Sequence, residues 1–238
     1  MASQSRAPRI LLTRPADQGA RFADDLRNRF GNWIDIAESP LIAPRFVTVA
    51  LPDGPYAAVI FTSETAVLAA QDLPGLPRKA FAVGDRTATA ARAAGFHTSS
   101  ANGDAAALIQ LLTDANPGRV LHLHGQDTRG DVVGHLRLAG MQAEGAVVYV
   151  QDAQPLTARA QAWLDDGDWP VIAPLFSPRT ATLFSAARIL APLWLANLSP
   201  AVDAAATLTA ARRVTAAQPD AQAMLDAVAS LLGPAAHP

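Results

Sequence analysis

The hexapeptide Phe61-Thr62-Ser63-Glu64-Thr65-Ala66 returns as Phe176-Ser177-Pro178-Arg179-Thr180-Ala181, 115 residues further along the chain. Each copy closes an apolar run, Ala57 to Thr62 and Val171 to Phe176, and leads at once into a segment of helical composition. At the same offset Val83-Gly84-Asp85-Arg86 falls on Leu198-Ser199-Pro200-Ala201, and an Ala-rich helix follows each, over Ala88 to Ala94 and Ala204 to Ala211. Here the role is kept more than the letters. Two related α/β lobes are the simplest source of such a repeat.

Other short apolar runs extend the pattern: Ile10 to Thr13, Ala80 to Val83, Val120 to Leu123, Val147 to Val150 and Leu193 to Leu198. Between them Ala105, Leu108, Ile109, Leu111 and Leu112 share one helical face, as do Met224, Leu225, Val228, Leu231 and Leu232 near the C-terminus. Strands alternating with helices argue for parallel α/β sheets, and strands that are apolar throughout argue that helices cover both sheet faces. The segments Glu38-Ser39-Pro40-Leu41-Ile42-Ala43-Pro44 and Gln151-Asp152-Ala153-Gln154-Pro155 break the pattern and read as linkers. If both are crossings, residues 1–37 and 153–238 form one discontinuous lobe and residues 45–147 an inserted lobe, with 38–44 and 148–152 connecting them.

Composition removes whole classes of chemistry. The chain has 238 residues, half of them hydrophobic and 17% charged, which is far from the signature of disorder. It has no cysteine, so disulfides, thiolate nucleophiles, iron–sulfur clusters and Cys-ligated zinc are excluded. With 19 Lys+Arg against 21 Asp+Glu, nothing in the overall charge calls for nucleic acid or an anionic membrane. No apolar stretch approaches ~20 residues, and Ile10-Leu11-Leu12 is too short for a signal-peptide core, so a cytoplasmic protein is expected. The dinucleotide, P-loop and nucleophile-elbow signatures are absent. His122-Leu123-His124 turns two imidazoles to one side of a strand without further ligands nearby, and Asp165-Asp166-Gly167-Asp168 lacks the later ligands of a calcium loop. No metal is expected.

Ligands of parallel α/β sheets bind beyond the carboxyl ends of strands, where helix N-termini present free N–H groups. That rule selects Thr13-Arg14-Pro15, Thr62-Ser63, Gly84-Asp85-Arg86-Thr87, Gly125 to Gly130, Ser177-Pro178-Arg179-Thr180 and Ser199-Pro200. Any one hydroxyl residue there is first of all a helix cap, and Pro at the first helical position is a routine start. Repetition at the same end of two sheets points instead to an anion site built from backbone dipoles, with Arg14, Arg86, Arg129 and Arg179 available to add charge.

The ordered set Ile10-Leu11-Leu12-Thr13-Arg14-Pro15, Val59-Ile60-Phe61-Thr62-Ser63, Ala82-Val83-Gly84 with Thr87-Ala88, Gly125 with Arg129, Val148-Tyr149, Leu175-Phe176-Ser177-Pro178 and Leu198-Ser199-Pro200 resembles the uroporphyrinogen-III synthase family over nearly the whole chain. The resemblance implies two parallel-sheet α/β lobes joined by a two-stranded ladder, with the active site in the inter-lobe cleft. It implies a cofactor-free enzyme that takes hydroxymethylbilane, a linear tetrapyrrole rich in carboxylates, from hydroxymethylbilane synthase. A monomer is expected, since the large concave surface needed would lie between lobes rather than between chains. In the family's chemistry the terminal hydroxyl leaves as water to give an azafulvene, and the far pyrrole attacks through its substituted α-carbon. A spiro intermediate then fragments and recloses with that ring inverted. On sequence alone Tyr149 reads as a strand residue packed in the ladder; the resemblance, whose Val-Tyr pair falls on Val148-Tyr149, implies instead that Tyr149 is the acid that assists loss of the hydroxyl. The substrate contacts implied are Thr13, Arg14, Thr62, Ser63, Gly84, Arg86, Thr87, Gly125, Arg129, Ser177, Pro178, Arg179, Ser199 and Pro200. Two departures stand out, Val202 in the counterpart position of Thr87 and His124 where the family often carries arginine. Lobes of this kind also serve as non-catalytic tetrapyrrole-binding modules, which is the competing reading.

Overall fold

The structure, a computed structural model, describes residues 7–128 and 130–233. The chain starts with β1 (Arg9–Leu12), α1 (Ala16–Phe30), β2 (Asp35–Glu38) and β3 (Ile42–Phe46). It continues through β4 (Ala58–Phe61), α2 (Glu64–Ala70), β5 (Lys79–Ala82), α3 (Asp85–Ala93), β6 (His97–Ser100), α4 (Ala105–Ala115), β7 (Val120–Gly125), α5 (Val132–Leu138) and β8 (Ala143–Ala153). The last third is α6 (Ala158–Asp165), β9 (Val171–Leu175), α7 (Pro178–Ser185), β10 (Leu193–Asn197), α8 (Pro200–Ala205), β11 (Arg212–Thr215) and α9 (Ala221–Leu232).

Contacts divide the chain into two compact units, one of residues 1–43 with 153–238 and the other of Pro44–Asp152. In the first unit the sheet order is β11-β10-β9-β1-β2, and every pairing is parallel. Leu11, Ala173, Leu175 and Leu195 pack on α6, α7 and α8 on one face, while Ile10, Leu12, Ile172 and Ala196 pack on α1 and α9 on the other. That double covering is why β9 reads as five buried residues in a row. In the second unit the order is β3-β8-β7-β4-β5-β6, with β4 to β8 mutually parallel where paired. Val59, Phe61, Leu121 and Leu123 face α2 and α3, and Ala58, Ile60, Phe81 and Val120 face α4 and α5. The edge strand β3 lies against β8. Val47 N–H donates to Val148 O (3.1 Å) and Gln154 N–H to Leu41 O (2.9 Å), so the partner index falls as the other rises and the pair is antiparallel.

Caps sharpen the repeat. Ser63 accepts the Ala66 N–H at the start of α2, and Ser177 accepts the Thr180 N–H at the start of α7, so these two serines are structural counterparts. Gly84 and Ser199 occupy the cap positions of α3 and α8. The serine pair therefore sits one residue off the offset suggested by the letters, and Thr62 corresponds to Phe176. In α9 the cap is Asp220, whose carboxylate accepts the Ala223 N–H at 2.8 Å. Asp220→Ala should cost about 1 kcal/mol of stability in urea unfolding while Asp220→Asn, which keeps the acceptor, loses little.

Candidate active site

Strand order decides where each unit can hold a ligand. From β4 the second unit builds outward to β5 and β6, then returns to lay β7 and β8 on the opposite side. The connections leaving β4 and β7 diverge to opposite faces, which leaves a crevice beyond their carboxyl ends. In the first unit the same reversal falls between β1 and β9, so Thr13-Arg14 and Phe176-Ser177 border it.

At the β4/β7 point of the second unit lies a cavity of about 330 Å³ lined by Thr62, Ser63, His122, Gly125, Asp127 and Tyr149, among others. Its two halves come from opposite sheet faces. On the α2 face, Ser63 Oγ accepts the Ala66 N–H at 3.1 Å and stands 3.2 Å from the Tyr149 phenol oxygen. Tyr149 is 8% exposed, and its ring lies so close to Gly125 that a Cβ there would meet Cζ at 2.6 Å and the phenol oxygen at 2.9 Å. β7 and β8 shift register between His124 and Gly125, which brings Gly125 opposite Tyr149. On the α4/α5 face, Thr62 Oγ1 is 3.1 Å from His122 Nε2. The His122 and His124 rings are tilted at 4.8 Å, and His124 Nδ1 donates to the Gly125 carbonyl at 2.8 Å.

Gly84 caps α3 beside this cavity, while Val83 supplies the lining. Thr87 is 7% exposed in the first turn of α3, and Arg86 is exposed and 3.7 Å from Glu64. Arg129 lies outside the described residues. In the first unit Thr13 is fully buried, and among the described residues its hydroxyl has no hydrogen-bond partner. Arg14 lies over the Phe176 ring at 3.8 Å and donates to Gln18 Oε1. Ser177 and Ser199 cap α7 and α8, with Pro178 and Pro200 at the first helical position and Arg179 exposed. Among the described residues no three His, Asp or Glu side chains gather as metal ligands, and no helix is long and apolar enough to cross a membrane.

His122 enters the sequence reading only as a rejected metal ligand, and the structure places it in the cavity wall. Burial, reinforced by His124, pushes its imidazole down to about 3. Folded His122 thus binds fewer protons than an unfolded histidine, which titrates near ~6.5. Its contribution to stability is complete above that pH and is lost as pH falls from ~6.5 towards about 3. Urea unfolding should therefore show the native chain losing about 1 kcal/mol more than His122→Gln between pH 7 and pH 5.5.

Fold and site together define a two-unit α/β protein with mostly parallel sheets and polar strand ends at each topological switch point. The sequence family described as Uroporphyrinogen-III synthase HemD matches residues 22–226, and the chain belongs to that family. Among solved structures, the Helicobacter pylori 26695 uroporphyrinogen-III synthetase is 18% identical, with 94% of this chain and 99% of that one covered and a TM-score of 0.65. A mutant uroporphyrinogen III synthase from the extremely thermophilic bacterium Thermus thermophilus is 16% identical, covering 95% of this chain and 99% of that one at a TM-score of 0.48. At such identities the likeness to the first speaks for the fold alone. Curated proteins give no significant match.

Proposed function

We propose that the chain is a working uroporphyrinogen-III synthase, a lyase that releases the terminal hydroxyl of hydroxymethylbilane as water and closes the macrocycle with one pyrrole inverted. The observation that carries this reading is the Tyr149 phenol at the wall of the second unit's cavity, 3.2 Å from Ser63 Oγ. Either hydroxyl can donate across that contact, and in the productive arrangement Ser63, which keeps the Ala66 N–H on one lone pair, gives its proton to the phenol oxygen. The phenol proton is then left for the leaving hydroxyl. As that hydroxyl departs with the proton, the pyrrole nitrogen lone pair forms the azafulvene. The far ring then attacks through its substituted α-carbon, and spiro fragmentation and reclosure release a ring proton that restores the Tyr149 phenol.

The remaining work is positioning a flexible polyanion. Helix-end amides and hydroxyls at Thr62, Ser63, Gly84 and Thr87 in the second unit, and at Thr13, Ser177 and Ser199 in the first, would take carboxylates. Arg14, Arg86, Arg129 and Arg179 would add charge, with Gly125, Pro178 and Pro200 shaping the approach. The chain would act as a cytoplasmic monomer supplied by hydroxymethylbilane synthase. The test is kinetic: hydroxymethylbilane should vanish faster than its spontaneous closure, in proportion to added protein. A rate independent of protein would return the chain to tetrapyrrole binding without turnover.

A further inference from the structure

A buried imidazole in the middle of an apolar strand asks for an explanation. β7 is Val120-Leu121-His122-Leu123-His124-Gly125, and His122 is 3% exposed between fully buried leucines. An aliphatic residue would fill that place without the cost of burying a polar ring. Its ring nitrogen Nε2 lies 3.1 Å from Thr62 Oγ1, and both residues line the cavity. The pairing of Ile60 with His122 holds this geometry, because Thr62 follows directly on the end of β4, two residues beyond Ile60. Kept uncharged by burial, the ring can supply Thr62 with only one hydrogen bond through Nε2, as donor or as acceptor.

We infer that His122 is a positioning residue that donates its Nε2–H to Thr62 Oγ1 and thereby turns the Thr62 hydroxyl proton into the cavity, towards a substrate carboxylate. The opposite tautomer would take the Thr62 proton for itself and present only lone pairs, which repel a carboxylate. One ring proton thus sets whether Thr62 attracts or rejects the anionic arm beside it. The inference rests on the proposed activity and assigns His122 a part in binding and ring selection, with none in the release of water.

Three variants separate the roles. His122→Gln keeps a side-chain N–H at the position of Nε2; His122→Met keeps the bulk and loses the donor; Thr62→Val loses the hydroxyl. His122→Met and Thr62→Val should each raise KM by about tenfold, the worth of one hydrogen bond to a charged partner, with kcat changed little. The type III fraction should fall in both, and the double variant should be no worse than either single one. His122→Gln should restore KM and the type III fraction, and nitrogen-15 NMR of the native chain should show His122 protonated at Nε2. Equal thermal midpoints for the two His122 variants keep folding out of the comparison. Additive losses in the double variant, native KM in a folded His122→Met, or a proton on Nδ1 would each overturn the inference. Absence of any turnover by the native chain would instead overturn the proposed function.

Discussion

Gly125→Ala should cut turnover by up to ~10²-fold, because the phenol could no longer keep its place. The added methyl would sit 2.6 Å from Tyr149 Cζ and 2.7 Å from Cε2, inside any tolerable contact. The ring has little room to yield, since Tyr149 is part of the buried cluster with Phe61, Val67, Ala146 and Val148. Overpacking of this kind costs about 1–3 kcal/mol, so the variant should also unfold at lower urea. The decisive comparison is Gly125→Ala in a Tyr149→Phe background. A phenylalanine ring clashes in the same way, so the stability loss should persist. Activity should fall no further, because the group being displaced no longer carries a proton to give. Urea unfolding and steady-state rates on the four proteins measure both.

Tyr149→Phe alone should lower kcat by ~10²-fold, the lower range for general acid assistance, because an electron-rich pyrrole already favours azafulvene formation. The fold, product binding and preference for type III should survive, since the ring stays packed and the positioning groups are untouched. A variant with native kcat would make Tyr149 a packing residue and leave catalysis to positioning and helix-end electrostatics.

What the sequence made legible follows from burial. The strands covered on both faces, β1, β4, β5, β7, β9 and β10, stand out as apolar runs because every side chain must suit a core. The edge strands do not. His97-Thr98-Ser99-Ser100 and Arg212-Arg213-Val214-Thr215 carry the polar letters of a half-solvated strand, and β3 holds Pro44, which is tolerated at an edge. β8 runs from Ala143 to Ala153, well beyond the apolar core expected at Val147 to Val150, because its pairing with β3 continues into the polar residues Gln151 and Asp152. The strand-end hydroxyls were legible because caps obey local rules. The partnerships between them were not: Ser63 and Tyr149 are 86 residues apart, and Thr62 meets His122 only through the return of the chain to the β4/β7 switch point. The need for glycine at position 125 likewise comes from the Tyr149 ring, which no local pattern announces.

Ring inversion separates enzymatic from spontaneous closure, and the identity of the isomer reports it. Freshly made hydroxymethylbilane, treated with the purified chain at a dose that outruns spontaneous closure and then oxidised, should chromatograph as mostly the type III porphyrin, with the type III share rising with dose. Type I alone at every dose would mean that the chain inverts no ring, because type I is the product the free bilane forms without help.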